Sequence, residues 1–177
     1  SKLAALGNNP SSSVSQSEIL ASASDLAGSL NGLSDQVQAM RQDAENAIGT
    51  AISKADGLLK QIADLNGRIV GNNTAALQDQ RDALVDQLST LMDVKATVSS
   101  TGAVSLSTTG GLTLVEGTIA TSLSVDPHNV GPGSRYDSDP AARSVGTITA
   151  TDASGAKRDV IAAGLIRSGE IAAQIDI

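Results

Sequence analysis

The sequence predicts an α+β fold: a long antiparallel α-helical hairpin, a coiled-coil-like rod, carrying a small antiparallel β unit. Two features of the chain carry this reading. Apolar residues recur at alternating steps of four and three through Leu26, Leu30, Leu33, Val37, Met40, Ala44, Ile48, Ala51, Ala55, Leu58, Ile62, Leu65 and Ile69, the spacing of a seam between helices, with one phase slip near Ile48. After Asp93 the period falls to two, as Val94, Ala96 and Val98 alternate with polar residues, which is strand patterning. The composition fits such thin layers. Hydrophobic residues make up 40% of the 177, yet there is no Phe, Trp or Cys and one Tyr. The core therefore rests on Leu, Ile, Val and Ala, without the large buried areas that aromatics supply.

Each element has its own signals. Residues 1–13 are turn-rich, with Gly7, Asn8, Asn9 and Pro10. Ser15 and Glu18 stand at capping-box spacing, and Val14 and Ile19 at that of a hydrophobic staple, so the first helix is expected over about 15–70. Such a helix would be roughly 80 Å long at about 1.5 Å per residue. Gly28, Gly32, Gly49, Gly57 and Gly67 each weaken it by about 1 kcal/mol relative to Ala, so packing along the stripe has to hold it. Gly71 suits the left-handed position after a helix, and Thr74 can cap a second helix over about 74–93. Leu77, Leu84, Val85, Leu88, Leu91 and Met92 share one face of it. The short connection makes the pair antiparallel.

Ser99 to Gly102 turns the chain into Val104, Leu106 and Thr108, a β-hairpin. Gly110-Gly111 leads into Leu112 to Val115, and a further short strand holds Leu123 and Val125. The segment 126–143 is rich in Pro and Gly and reads as a loop. A second hairpin runs from Val145 to Thr151 and from Lys157 to Ala162. The three-and-four period returns with Ile171 and Ile175. The expected organisation is therefore a helical rod over 1–93, a β-hairpin unit over 94–165 with its loop 126–143, and the start of a returning helix over 166–177.

Charge and composition exclude several functions. The net charge of −7, from 12 basic and 19 acidic residues, argues against nucleic acid and anionic membrane as partners. Zero cysteines remove disulfides and thiolate metal sites. No apolar run is long enough to span a bilayer, and the start has no secretory pattern. The chain opens on Ser1 without an initiator Met, which reads as an internal fragment.

The candidate sites are weak. Asp79, Asp82 and Asp86 lie along one side of the second helix, but hard cations want six or more oxygens from a loop that wraps them, so a solvated acidic face is the simpler reading. Arg81 is suited either to a helix or subunit contact or to an ion pair with Asp64 or another acid of the first helix. His128, the one histidine, sits in the Pro/Gly loop near Asp126. No G-x-S-x-G turn accompanies it, so a catalytic triad is poorly supported. Gly102, Gly110, Gly111 and Gly117 lack the following Lys-Ser/Thr of a phosphate loop and read as turns. Tyr136 in the same loop is a contact residue or simply exposed. No catalytic residue, cofactor or metal is expected.

Sequence motifs add a resemblance. Gln61 to Ile69 carries I-x-x-L-N-x-x-I, and Leu77 to Ser89 carries L-x-D-Q-R-D-x-L-x-x-x-L-S. Asn9-Pro10-Ser11-Ser12, Gly110 to Gly117 and Ser168-Gly169-Glu170-Ile171 follow the same order. This set resembles the flagellar hook-associated protein FlgK family across nearly the whole chain. The resemblance departs from the family pattern at Ala172 to Ile175 and in the loop 126–143. It implies packing roles for Leu65, Asn66, Ile69, Asp79, Gln80, Arg81, Asp82, Leu84 and Leu88. It further implies a structural, extracellular, non-enzymatic part joining hook to filament. The implied partners are other copies of itself in a ring, the hook protein and a second junction protein. An export chaperone would be met only through terminal helices absent here. The competing reading is another extracellular fibrous protein, such as a phage tail fibre or trimeric adhesin stalk, which explains the stripe but not the ordered motifs.

Overall fold

A computed structural model describes residues 7, 12–126, 131–135, 137, 139 and 142–175. His128, Tyr136 and Asn9-Pro10-Ser11 lie outside the described residues, as does much of the loop 126–143. The chain divides into two compact units, Ser1–Met40 and Arg41–Ile177. The boundary thus falls inside the first helix rather than at residue 93, and helices and strands share the second unit.

Helix α1 spans Ser13–Gly71. It begins before Ser15, and the Ser12 carbonyl accepts from Gln16 N–H at 3.0 Å. Positions 15 and 18 are therefore inside the helix rather than at its start, and Val14 is 65% exposed instead of stapling the start. Gly71 is also still helical and has no positive φ. The last turn closes through Asn72 N–H on the Arg68 carbonyl at 2.8 Å.

The apolar stripe has two fates. In the first unit Leu26, Leu30, Leu33, Val37 and Met40 are 46–61% exposed. From Ala44 to Ile69 the same stripe is buried. This corrects the expectation of a seam zipped along its whole length. Helix α2, Ala75–Leu91, has 17 residues, so it reaches back only about 26 Å along α1. Beyond that reach the β unit takes over the burial: Gly49 lies against the Val125 side chain, and Glu45 accepts from Gly146 N–H at 3.0 Å. Thr74 caps α2, its hydroxyl accepting from Leu77 N–H.

Strands β1 (Lys95–Val98), β2 (Val104–Ser107), β3 (Thr113–Glu116) and β4 (Ile119–Ala120) form one antiparallel sheet in sequence order. Strands β5 (Ser122–Asp126), β6 (Thr147–Thr151) and β7 (Lys157–Asp159) form a second. The chain changes sheet at Thr121, whose N–H donates to the Leu114 carbonyl and whose hydroxyl donates to the Thr113 carbonyl. Period-two patterning holds in β2 and β6, where Val104, Leu106, Ile148 and Ala150 point inward. It fails in β1, an edge strand exposed at all four positions, so Ala96 and Val98 do not build the core. The second hairpin ends at Asp159 rather than Ala162, because the Asp159 carboxylate accepts from Ile161 and Ala162 N–H and turns the chain.

Helix α3, Glu170–Ile175, returns to the core through Ile171. Gly169 makes the return possible. It has φ 91°, and a Cβ there would lie 2.7 Å from the Leu91 carbonyl and Met92 Cα. The resulting core joins α1, α2, both sheets and α3 around Ile52, Leu59, Ile62, Leu88, Leu106, Leu114, Ile148 and Ile171.

Helix not held by burial opens readily. Amide hydrogens of residues 16–40 should exchange at least about 100-fold faster than those of 48–69, as read by hydrogen–deuterium exchange on this chain. Equal protection of the two stretches would contradict the account of the stripe.

Candidate functional site

Two polar residues occupy places in the apolar stripes, and both bind backbone of the first sheet. Asn66 follows Ile62 by four residues and precedes Ile69 by three, so the helix turns it inward. It is fully buried. Its Nδ2 donates to the carbonyls of Val104 at 2.7 Å and Gly117 at 2.8 Å, and its Oδ1 accepts from Val104 N–H at 2.9 Å. One amide thereby fixes the start of β2 and the β3–β4 turn on α1. All of its strong hydrogen-bonding directions but one oxygen lone pair are used, which makes its burial tolerable.

Arg81 holds the corresponding position on α2, between Leu77 and Leu84. It is 5% exposed. Nη1 donates to the Gly102 carbonyl at 2.6 Å, in the β1–β2 turn. Nε and Nη2 both donate to Asp82 Oδ1, at 3.0 and 2.8 Å. Its ion pair is thus with its own neighbour and not with Asp64. Gly102 has φ 86°, and a Cβ would come within 2.9 Å of Asn73 Nδ2, so the turn sits close against the helix junction.

Three aspartates and a glutamate add further clamps. Asp93, just after α2, accepts from Arg167 N–H at 2.8 Å through Oδ1, while Oδ2 receives the Thr109 N–H and hydroxyl. Asp56 on α1 accepts from Leu123 N–H at 2.9 Å and Ser122 Oγ at 3.2 Å, and pairs with Lys60 at 2.6 Å. Asp159 holds Arg143 at 2.6 Å and Thr147 Oγ1 at 2.9 Å. Glu45 makes the Gly146 bond already described. Partial burial pushes each of the three aspartyl groups up. The donors more than offset this: Lys60 and Leu123 N–H for Asp56, the Arg167 and Thr109 donors for Asp93, and Ala162 N–H, Thr147 and Arg143 for Asp159. All three carboxyls lie below their ordinary value.

The motif residues therefore divide. Leu65, Asn66, Ile69, Arg81 and Leu88 are buried, and Leu84 packs partly against the core. Asp79, Gln80 and Asp82 are exposed. Asp82 serves Arg81, and Gln80 edges a groove of about 570 Å³ between α1 and α2, shared with Lys60, Asp64, Leu65, Arg68 and Leu84. A smaller cleft of about 310 Å³ lies between the sheets, beside Glu116, Asp152 and Arg158. In the smaller cleft the Ser154 hydroxyl donates to Asp152 Oδ1 at 2.6 Å, a bond that closes the β6–β7 turn beside Arg158. What this set of contacts can do is hold the two layers at fixed register. The sequence patterns did not reveal Asp56, Asp93, Asp159 or Glu45 as clamps, because the distant groups they fasten, at Leu123, Arg167, Thr147 and Gly146, lie 12 to 101 residues away.

Comparison with known proteins points one way. Residues 1–177 match the family model described as the flagellar hook-associated protein FlgK helical domain. Flagellar hook-associated protein 1 of Salmonella typhimurium is 31% identical over 133 residues, covering 67% of this chain and 24% of that protein. The Escherichia coli K12 protein of the same name is 30% identical over 133 residues, with the same coverage. The chain thus spans about a quarter of the length of these relatives. The solved structure of the flagellar hook junction protein FlgK from Burkholderia pseudomallei superposes with a TM-score of 0.79 at 23% identity, covering 98% of this chain and 30% of that one. This last likeness concerns the fold.

Replacing Asn66 by Ala leaves Val104 N–H and two carbonyls without their partner. The expected loss is about 2–4 kcal/mol of stability, read from the urea unfolding midpoint. Asp79→Ala, at an exposed position, should stay within about 0.5 kcal/mol. Comparable losses for the two would refute the clamp.

The aspartates set a pH dependence. Their folded pKa values are lowered, so their stabilisation is present above the unfolded value of about 3.9 and is lost as pH falls through the lower folded values. Unfolding free energy should be level at neutral pH and decline below about pH 4. Asp93→Asn should flatten that decline in urea titrations across pH, and an unchanged acid slope would remove Asp93 from the account.

Proposed function

The chain belongs to the FlgK family of flagellar hook-associated proteins, across its helical domain, and from this we propose that it is a structural module of the bacterial flagellum that helps join hook to filament by subunit packing. The observation that carries the proposal is the clamped core. Asn66, Arg81, Asp56 and Asp93 fasten helices to strands through backbone groups. A module whose polar interior is committed to holding register suits transmission of shape between subunits and leaves little for chemistry. The reading is accordingly non-enzymatic and extracellular, within the flagellum. Its partners would be further copies of the protein in a ring, the hook protein and the second junction protein. Contacts that are individually weak add up when many copies close on one another. A phage tail fibre or adhesin stalk would share the helical stripe, but the ordered motifs and the family match favour the junction.

Packing of this kind tolerates changes in surface side chains better than changes in the clamp. In a strain dependent on the full-length protein, Asn66→Asp should abolish or severely reduce swimming and leave hooks without filaments by electron microscopy. Asp79→Ala should swim normally. Normal filament attachment in cells whose full-length protein lacks residues 41–175 would overturn the proposal.

A further inference from the structure

The tripeptide Leu-Asn-Gly occurs twice, at Leu30-Asn31-Gly32 and Leu65-Asn66-Gly67. We propose that Asn31 is a site of spontaneous deamidation in the folded protein, and that Asn66, in the same local sequence, is converted only when the chain unfolds. The Asn-Gly step is prone to this reaction because glycine has no side chain to obstruct the backbone nitrogen and allows unusual φ and ψ. The Gly nitrogen attacks the Asn side-chain carbonyl carbon, closing a five-membered imide. The amide nitrogen departs as ammonia, taking the Gly N–H proton. Water then opens the imide at either carbonyl, giving aspartate or isoaspartate.

The attack needs a free backbone nitrogen and a free side chain, so helical structure opposes it at both places. The opposition is unequal. Asn31 is exposed, and nothing approaches the Cα of Gly32 closely enough to meet a Cβ within 4 Å. The surrounding helix presents Leu26, Leu30, Leu33 and Val37 to solvent, at 61, 57, 59 and 46% exposure. Gly28 lowers its helix propensity, and the hydroxyls of Ser22 and Ser29 donate to the carbonyls of Glu18 and Asp25, competing with the helical ladder. Opening there gives up little burial, since those four side chains are already about half exposed. Asn66 is fully buried. Its amide nitrogen is held by two carbonyls and its oxygen by Val104 N–H, and Gly67 lies against Thr118. Opening at Asn66 means breaking the clamp and uncovering the core around Ile62 and Ile69.

The two outcomes differ in consequence. An acid at position 31 faces water. An acid at position 66 has lost the donor that served Val104 and Gly117 and sets a carboxylate against their carbonyl oxygens. A chain that lingers unfolded would in this way lose the residue it needs to refold.

The test uses the intact chain in mildly alkaline buffer at physiological temperature, folded in one arm and in concentrated urea in the other. Peptide mapping by mass spectrometry, with enzymatic quantitation of isoaspartate, follows both asparagines over time. In the folded arm Asn31 should convert at least about tenfold faster than Asn66. In urea the two rates should agree within about threefold, since the tripeptides are the same. Gly32→Ala should slow conversion at Asn31 and leave Asn66 unaffected in both arms. Folded protein in which Asn31 converts no faster than Asn66 defeats the proposal. So does a large difference that persists in urea, because sequence rather than fold would then set the rates.

Discussion

The fold depends on a single primary amide. Asn66 presents two donors and an acceptor to backbone groups of β2 and of the β3–β4 turn, and it does so inside an aliphatic core. The energetics of such a group are asymmetric. A satisfied buried hydrogen bond contributes about 1 kcal/mol net, whereas an orphaned buried donor or acceptor costs about 1–3 kcal/mol. The clamp therefore penalises misplacement of the sheet more than it stabilises correct placement. That asymmetry matters in a core without Phe or Trp. Leu, Ile and Val can pack in several registers of similar energy, since hydrophobic contact has little direction. Asn66 and Arg81 supply the direction.

The same four-and-three spacing has two outcomes along α1, and the difference lies in what is available to cover it. From Ala44 onward the stripe meets strands, then α2. Between Leu26 and Met40 it is exposed. Burial of a Leu or Val side chain is worth about 1.5–3 kcal/mol. Five large side chains left about half exposed thus forgo a part of that stabilisation at each position. A seam-type stripe of this length is ordinarily matched by another helix. In the proposed junction role, such a face is where packing against further polypeptide would be worth most.

The sequence was legible where the argument was local. Periodicity placed α1, α2 and most strands, and Thr74 declared its cap. It misplaced the start of α1, because Ser15 and Glu18 satisfy capping-box spacing equally well within a helix already begun at Ser13. It located β1 without showing that the strand is exposed at all four positions, because alternation reports a possible face, not a neighbour to cover it. The clamp was readable in principle. Asn66 stands four after Ile62 and three before Ile69, and Arg81 stands four after Leu77 and three before Leu84, so each interrupts an apolar stripe with a polar group. A polar residue in such a place announces a buried partner. What it cannot announce is which carbonyl, since Val104 and Gly117 lie 38 and 51 residues away. The carboxylate clamps lacked even that signal, because Asp56, Asp93 and Asp159 are only partly buried and the strand and loop groups they hold lie 12 to 74 residues away.

Nearly all of these clamps grip backbone rather than side chains. Asn66 binds Val104 and Gly117, Arg81 binds Gly102, Asp93 binds Arg167 and Thr109, Asp56 binds Leu123, and Glu45 binds Gly146. The physical effect is to separate two requirements. Register is set by atoms that every residue type except proline carries. The outward side chains of the same strands and turns are then free of structural duty, and can be shaped by whatever they touch. Glycine is the exception, because Gly169 lies against the end of α2 and Gly102 beside Asn73, where a Cβ would collide. A module built this way holds its layers rigidly while leaving its surface open to change, which is the combination that packing among unlike neighbours demands.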